Sequence, residues 1–126
     1  MFLVLAGCSK SPEAIPEQSR PAAEAFLGAL LSGNQKEILK AMAPEARAYL
    51  IEQGDLPGRL AHRKRLMGGQ PDRFKIGSLS ETKGEARLHV VWLGGTLKNS
   101  FREAFVLKER KGSWEVVLGE RWYAVN

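Results

Sequence analysis

One carboxylate stands where an apolar side chain belongs. In the run Phe101-Arg102-Glu103-Ala104-Phe105 the residues alternate as in a strand with one buried face, and Glu103 falls on the same side as Phe101 and Phe105. A two-residue turn at Gly94-Gly95 would set Leu88 opposite Phe101 and Ala86 opposite Glu103. The same operation at Lys111-Gly112 sets Phe105 opposite Leu118 and Glu103 opposite Glu120. Two carboxylates sharing one end of a face resist double ionisation, which raises one pKa and suits that group to general acid or base work. The alternative is structural: Arg102 or Arg121 neutralises the charges, or a bulge at Gly119 turns Glu120 away. His89 is not the partner such a site needs, because alternation puts it with Arg87 and Val91 on the opposite face, as a surface or interface histidine. Tyr49 and Tyr123 are phenols that could sit at a cavity mouth, although amphipathic packing is their commoner role.

Other chemistries are excluded by composition. The 126 residues hold a single Cys and two His, too few for a structural zinc site or a disulfide framework. Asp55 and Asp72 are the only aspartates, so no calcium loop of the helix-loop-helix type can be built. No GxxxxGK[ST], GxGxxG or GxSxG run is present, and no cofactor is expected. The densest positive cluster is Arg59, His62, Arg63, Lys64 and Arg65, in a chain of net charge +5. No aromatic residue accompanies it to stack on bases, so nucleic acid is not the expected partner. Anionic headgroups or an acidic protein surface suit it better, at about 1 kcal/mol per basic residue near a charged membrane. The plainest expectation is a solvated helix face.

The elements that must position these residues fall in two blocks. Ala22, Phe26, Ala29 and Leu30 recur at helical spacing behind Pro21, with Leu27 and Leu31 widening the stripe, until Ser32-Gly33 ends it. Asn34 and Glu37 form a capping pair for a short helix with Ile38, Leu39 and Met42. Pro44 opens a third helix carrying Tyr49, Leu50 and Ile51 and closing at Gly54, and a fourth, basic one spans 56–67 before Gly68-Gly69. From Arg73 the period becomes two. Phe74 and Ile76 mark one strand, and Ala86, Leu88, Val90 and Trp92 line a second. Phe101 to Leu107 make the third, and Trp114, Val116 and Leu118 the fourth. Val91, Leu93 and Val117 leave the second face partly apolar, which would suit a homodimer. Turns are expected at Lys83-Gly84, Gly94-Gly95 and Lys111-Gly112.

The fold class expected is α+β, with N-terminal helices on one face of a curved antiparallel sheet of about four strands. This order resembles the nuclear-transport-factor-two-like (NTF2-like) cone, the superfamily of ketosteroid isomerase, scytalone dehydratase and many small bacterial lipoproteins. A cystatin-like sheet would read similarly. The expected interior comprises Trp92, Phe101, Phe105, Trp114 and Leu118; Trp92, Phe101, Glu103, Phe105 and Trp114 are the candidates for contact with a small hydrophobic ligand.

Met1 to Gly7 is uncharged and apolar, and the chain turns polar directly after Cys8. The tetrad Leu5-Ala6-Gly7-Cys8 resembles the lipobox of bacterial lipoproteins, in which cleavage before the cysteine leaves its thiol as the site of lipid attachment. The resemblance implies residues 1–7 as the remnant of a signal peptide, with its basic part encoded upstream, and 8–20 as anchor and flexible tether. Such a tether reaches at most roughly 40 Å. Residues 21–126 then form a single domain. Ser9 after the cysteine resembles the outer-membrane sorting pattern, which implies the periplasmic face of the outer membrane. The functional expectation is a non-enzymatic, lipid-anchored envelope protein that binds a small ligand or an envelope partner. Its competitor is a small cofactor-independent isomerase, lyase or hydrolase using Glu103.

Overall fold

A computed structural model describes residues 17–53 and 55–118. Four helices precede four strands: α1 (Arg20–Ser32), α2 (Gln35–Lys40), α3 (Pro44–Gln53), α4 (Leu56–Met67), β1 (Arg73–Thr82), β2 (Glu85–Leu93), β3 (Phe101–Arg110) and β4 (Ser113–Val117). The sheet is an antiparallel meander in the order β1-β2-β3-β4, so the fold is the expected α+β. Cys8 and the lipobox, Gly54, Gly119, Glu120, Arg121 and Tyr123 lie outside the described residues.

α1 supplies the main helical face of the core. Ala23, Phe26, Leu27 and Leu30 are buried along it, and Phe26 meets Phe105 of β3 edge to face, with ring centroids 5.1 Å apart. The helix opens at Arg20, one residue before Pro21, and the folded body begins earlier still. Ser19 is fully buried, and its backbone N–H and hydroxyl both donate to Glu81 Oε2 of β1, at 2.7 and 2.5 Å. Gly33 ends the helix in the left-handed conformation, φ 73°. Asn34 caps α2 as expected, its Oδ1 accepting from the Glu37 N–H at 3.2 Å. Its own N–H donates to Ala29 O, so α1's closing turn holds the group that Glu37 would have reached.

The strands alternate as the sequence requires. Ala86, Leu88, Val90 and Trp92 of β2 are buried, as are Glu103, Phe105 and Leu107 of β3. β1 keeps Phe74, Ile76 and Leu79 on the inner side because a register shift at Gly77 absorbs the odd residue between them. Phe74 packs against Trp92 at 5.8 Å. At the far edge, Ala41 to Ala43 run beside β4: Val116 N–H donates to Ala41 O and Ala43 N–H to Val116 O, at 2.9 and 2.8 Å. The α2–α3 connection thereby covers part of an edge that would otherwise present free ladder groups.

Two turns fall as expected, at Lys83-Gly84 and Lys111-Gly112. The third does not. β2 and β3 are joined by residues 94–100, and Phe101 lies opposite Trp92 rather than Leu88. Gly94 and Gly95 both have positive φ, 75° and 58°, but they lead the chain onto the α4–β1 connection instead of into a tight hairpin. There Thr96 N–H donates to Gln70 O at 2.9 Å, Gln70 N–H to Thr96 Oγ1 at 2.8 Å, and Leu97 packs on the core. The displacement moves every partner by four positions along β2, an even number, so inner and outer faces are unchanged.

Two outcomes follow from this framework. A Cβ at Gly95 would run into Gln70 O while holding a left-handed backbone, so Gly95→Ala should cost about 1–3 kcal/mol in urea denaturation. Arg110 donates twice to Glu115 across the last hairpin, both at 2.9 Å, and holds that carboxyl below its ordinary range. A depressed folded-state value means a contribution present at neutral pH and lost as pH falls through it. An NMR titration should therefore place Glu115 below the free glutamate value, and Arg110→Ala should return it there.

Candidate functional site

Glu103 owes its surroundings to register. Opposite Val90 on β3, it has Trp92 as its diagonal neighbour on the inner face, and Trp92 Nε1 donates to Glu103 Oε1 at 2.9 Å. α4 crosses above. Arg63 donates from Nε to Oε2 at 3.0 Å and from Nη2 to Oε1, a two-pronged pair that matches guanidinium to carboxylate. The Arg63 guanidinium also lies over the Trp92 ring, 5.6 Å from its centroid. Side-chain exposure is 10% for Arg63 and 4% for Glu103, so water does not screen this pair. The three side chains close on one another, and both carboxylate oxygens are engaged.

The basic segment divides along this line. α4 turns Leu56, Arg59, Leu60, Arg63 and Met67 toward the body, the spacing of one helical face, while Lys64 and Arg65 are exposed. The expectation of a solvated face is thus corrected for Arg59 and Arg63, which are 5% and 9% exposed. Arg59 lies against the Tyr49 ring at 5.2 Å and donates from Nη2 to its hydroxyl at 3.2 Å, with Asp55 Oδ2 3.6 Å from Nε. Tyr49 is therefore packing and acceptor for a buried arginine.

Of the other residues singled out in the sequence, Trp92 and Phe105 are buried, and Phe101, Trp114 and Leu118 are partly buried against the same core. Glu103 does not oppose Ala86, and neither Arg102 nor a second carboxylate is its partner among the described residues; that partner is Arg63. His89 is exposed on the outer face near Gly77, Val91 and Arg102, as alternation required. No group of three or more His, Cys, Asp or Glu side chains among the described residues could hold a metal ion.

An open cleft of about 300 Å³ lies beside the triad, between the C-terminal ends of α1 and α4 and the end of β2. Leu30, Leu31, Leu60, Met67 and Trp92 give it apolar walls, and Arg63, Lys64 and Gln70 its polar groups. Composition alone missed this place. Its signal was Arg63 falling in phase with Leu56, Leu60 and Met67, which marks an arginine turned inward.

A crystal structure from Campylobacter jejuni, provisionally described as an NTF2-like transpeptidase, is similar to this chain with a TM-score of 0.60 at 19% identity. The likeness covers 82% of this chain and 100% of that one. The fold is NTF2-like. The solution structure of a SEC-C-motif-containing protein from Rhodopseudomonas palustris is similar at a TM-score of 0.55 and 16% identity, over 79% of this chain and 74% of that one. At these identities the likeness reaches the NTF2-like fold and stops short of activity. The sequence matches no protein-family model, and no curated protein matches it significantly.

The triad makes a specific energetic prediction. Arg63→Met leaves a buried carboxylate without its cation and should destabilise the fold by about 3–5 kcal/mol. Adding Glu103→Gln, which keeps an acceptor for Trp92 Nε1, should recover most of that loss. A double-mutant cycle by urea denaturation measures the coupling, and strictly additive single losses would refute it.

Proposed function

We propose that this chain is a lipid-anchored envelope protein, attached through Cys8 at the periplasmic face of the outer membrane, whose NTF2-like domain binds a small ligand and performs no chemistry on it. The observation that carries the non-enzymatic part is the closure of Arg63 and Trp92 on Glu103. A general base must turn a carboxylate oxygen toward substrate. Here both oxygens turn toward protein donors, in a site where removing either partner is costly. An isomerase, lyase or hydrolase working through Glu103 would have to break this pair in every cycle.

Binding a ligand is favoured over docking an envelope protein by the cleft beside the triad, which is concave, mostly apolar and provided with a few polar groups. The anchor rests on the tetrad Leu5-Ala6-Gly7-Cys8 and the polar stretch behind it. No helix among the described residues is long and apolar enough to cross a membrane. Acyl chains on Cys8 would supply the attachment, at about 0.8 kcal/mol for each buried methylene.

Expression of the complete gene in its native host, with a clickable palmitate analogue in the medium, tests the anchor. The label should enter the protein and the protein should sediment with membranes, and Cys8→Ser should abolish both. An unmodified thiol by intact-mass spectrometry on a soluble product would sink the anchor.

A further inference from the structure

The cleft between α1 and α4 has a charge pattern that restricts what it can hold. Its lining includes two cations and no carboxylate. Arg63 commits Nε and Nη2 to Glu103, while Nη1 has no acceptor among the described residues and the side chain borders the cleft. Lys64, the next residue on α4, forms no ion pair among the described residues and lies exposed at the rim. With Arg63 balanced by Glu103, Lys64 is the one charged side chain of the lining with no ion pair among the described residues.

Several helix-end carbonyls near it already have donors. At the end of α1, Ala29 O and Leu30 O accept from Asn34 and Gly33, and Leu31 O accepts from the Gln70 side chain at 3.4 Å. At the end of α4, Lys64 O accepts from Gly68 and Gly69 and Arg65 O from Gly68. These bonds satisfy part of each helix end, and the charged side-chain donors in the lining are those of Arg63 and Lys64. The apolar part of the lining is Leu30, Leu31, Leu60, Met67 and the buried Trp92.

Resting on the binding function proposed above, we infer that the ligand is a small amphipathic monoanion: an apolar body held between α1 and α4 against Trp92, and a single anionic head on Lys64 and Arg63 Nη1. A neutral apolar molecule would leave these donors to water alone, and a dianion would exceed the one unbalanced charge. The head can be a carboxylate or a sulfate monoester, both monoanions at neutral pH, since both offer oxygens to the same two donors.

The test uses the full chain and two fluorescent probes with similar bodies, anionic 1-anilinonaphthalene-8-sulfonate and neutral N-phenyl-1-naphthylamine. The anion should bind saturably, shifting the amide NMR signals of Gly33, Gly69 and Gln70. Octanoate or octyl sulfate should displace it and octanol should not, and the stronger of the two names the head. Lys64→Glu, at an exposed position, should weaken the anionic probe by roughly tenfold and leave the neutral one unchanged. Equal binding of both probes, indifferent to Lys64→Glu, would overturn the anionic assignment while leaving a ligand-binding cleft. Binding of neither probe would overturn that assignment together with the small-ligand function.

Discussion

A buried carboxylate must be answered by a buried cation, and in this protein that requirement ties the helical layer to the sheet. Glu103 sits on the inner face of β3, where desolvation would be prohibitive for an isolated charge. Arg63 answers it from α4, and Trp92 supplies the remaining donor from the neighbouring strand. The consequence for α4 is large. Its inward stripe carries two arginines among Leu56, Leu60 and Met67, so apolar burial alone gives it a weak grip. A bidentate ion pair with fixed geometry also sets the helix's rotation and its position along the sheet, which apolar contacts do loosely.

The same pair is what the proposed function rests on. A concave-face glutamate in an NTF2-like fold invites an assignment as acid or base, and the alternation of β3 supplies that glutamate. What separates a reactive carboxylate from a structural one is the company of its two oxygens. Here that company is the donors of Arg63 and Trp92. The adjoining cleft is bordered by the same group: Arg63 and Trp92 are both in its lining, and Trp92 is held by its indole N–H.

Loop stitching completes the frame. The 94–100 connection hydrogen-bonds to Gln70 and Asp72 lies against Leu93 O, so the segment leaving α4 and the segment leaving β2 restrain each other. The segment leaving α4 borders the cleft through Gly69, Gln70 and Pro71, so this part of its lip is restrained by hydrogen bonds to the 94–100 connection.

Much of this was legible in the residues themselves. Helical spacing behind Pro21, the Asn34 cap, the change to period two after Arg73 and the glycine turns at 84 and 112 are local, so neighbouring residues alone specify them. Which residues face inward was likewise determined by parity, and an error of four positions in the β2–β3 register left every face assignment intact. The identity of Glu103's partner was not determined locally. Arg63 lies 40 positions away in the chain, in a segment whose charge suggests a solvated surface, and only the packing of α4 over β2 and β3 brings the guanidinium to the carboxylate. Charge type is a property of sequence; pairing of charges across 40 residues depends on the register and crossing of elements, which tertiary structure alone decides.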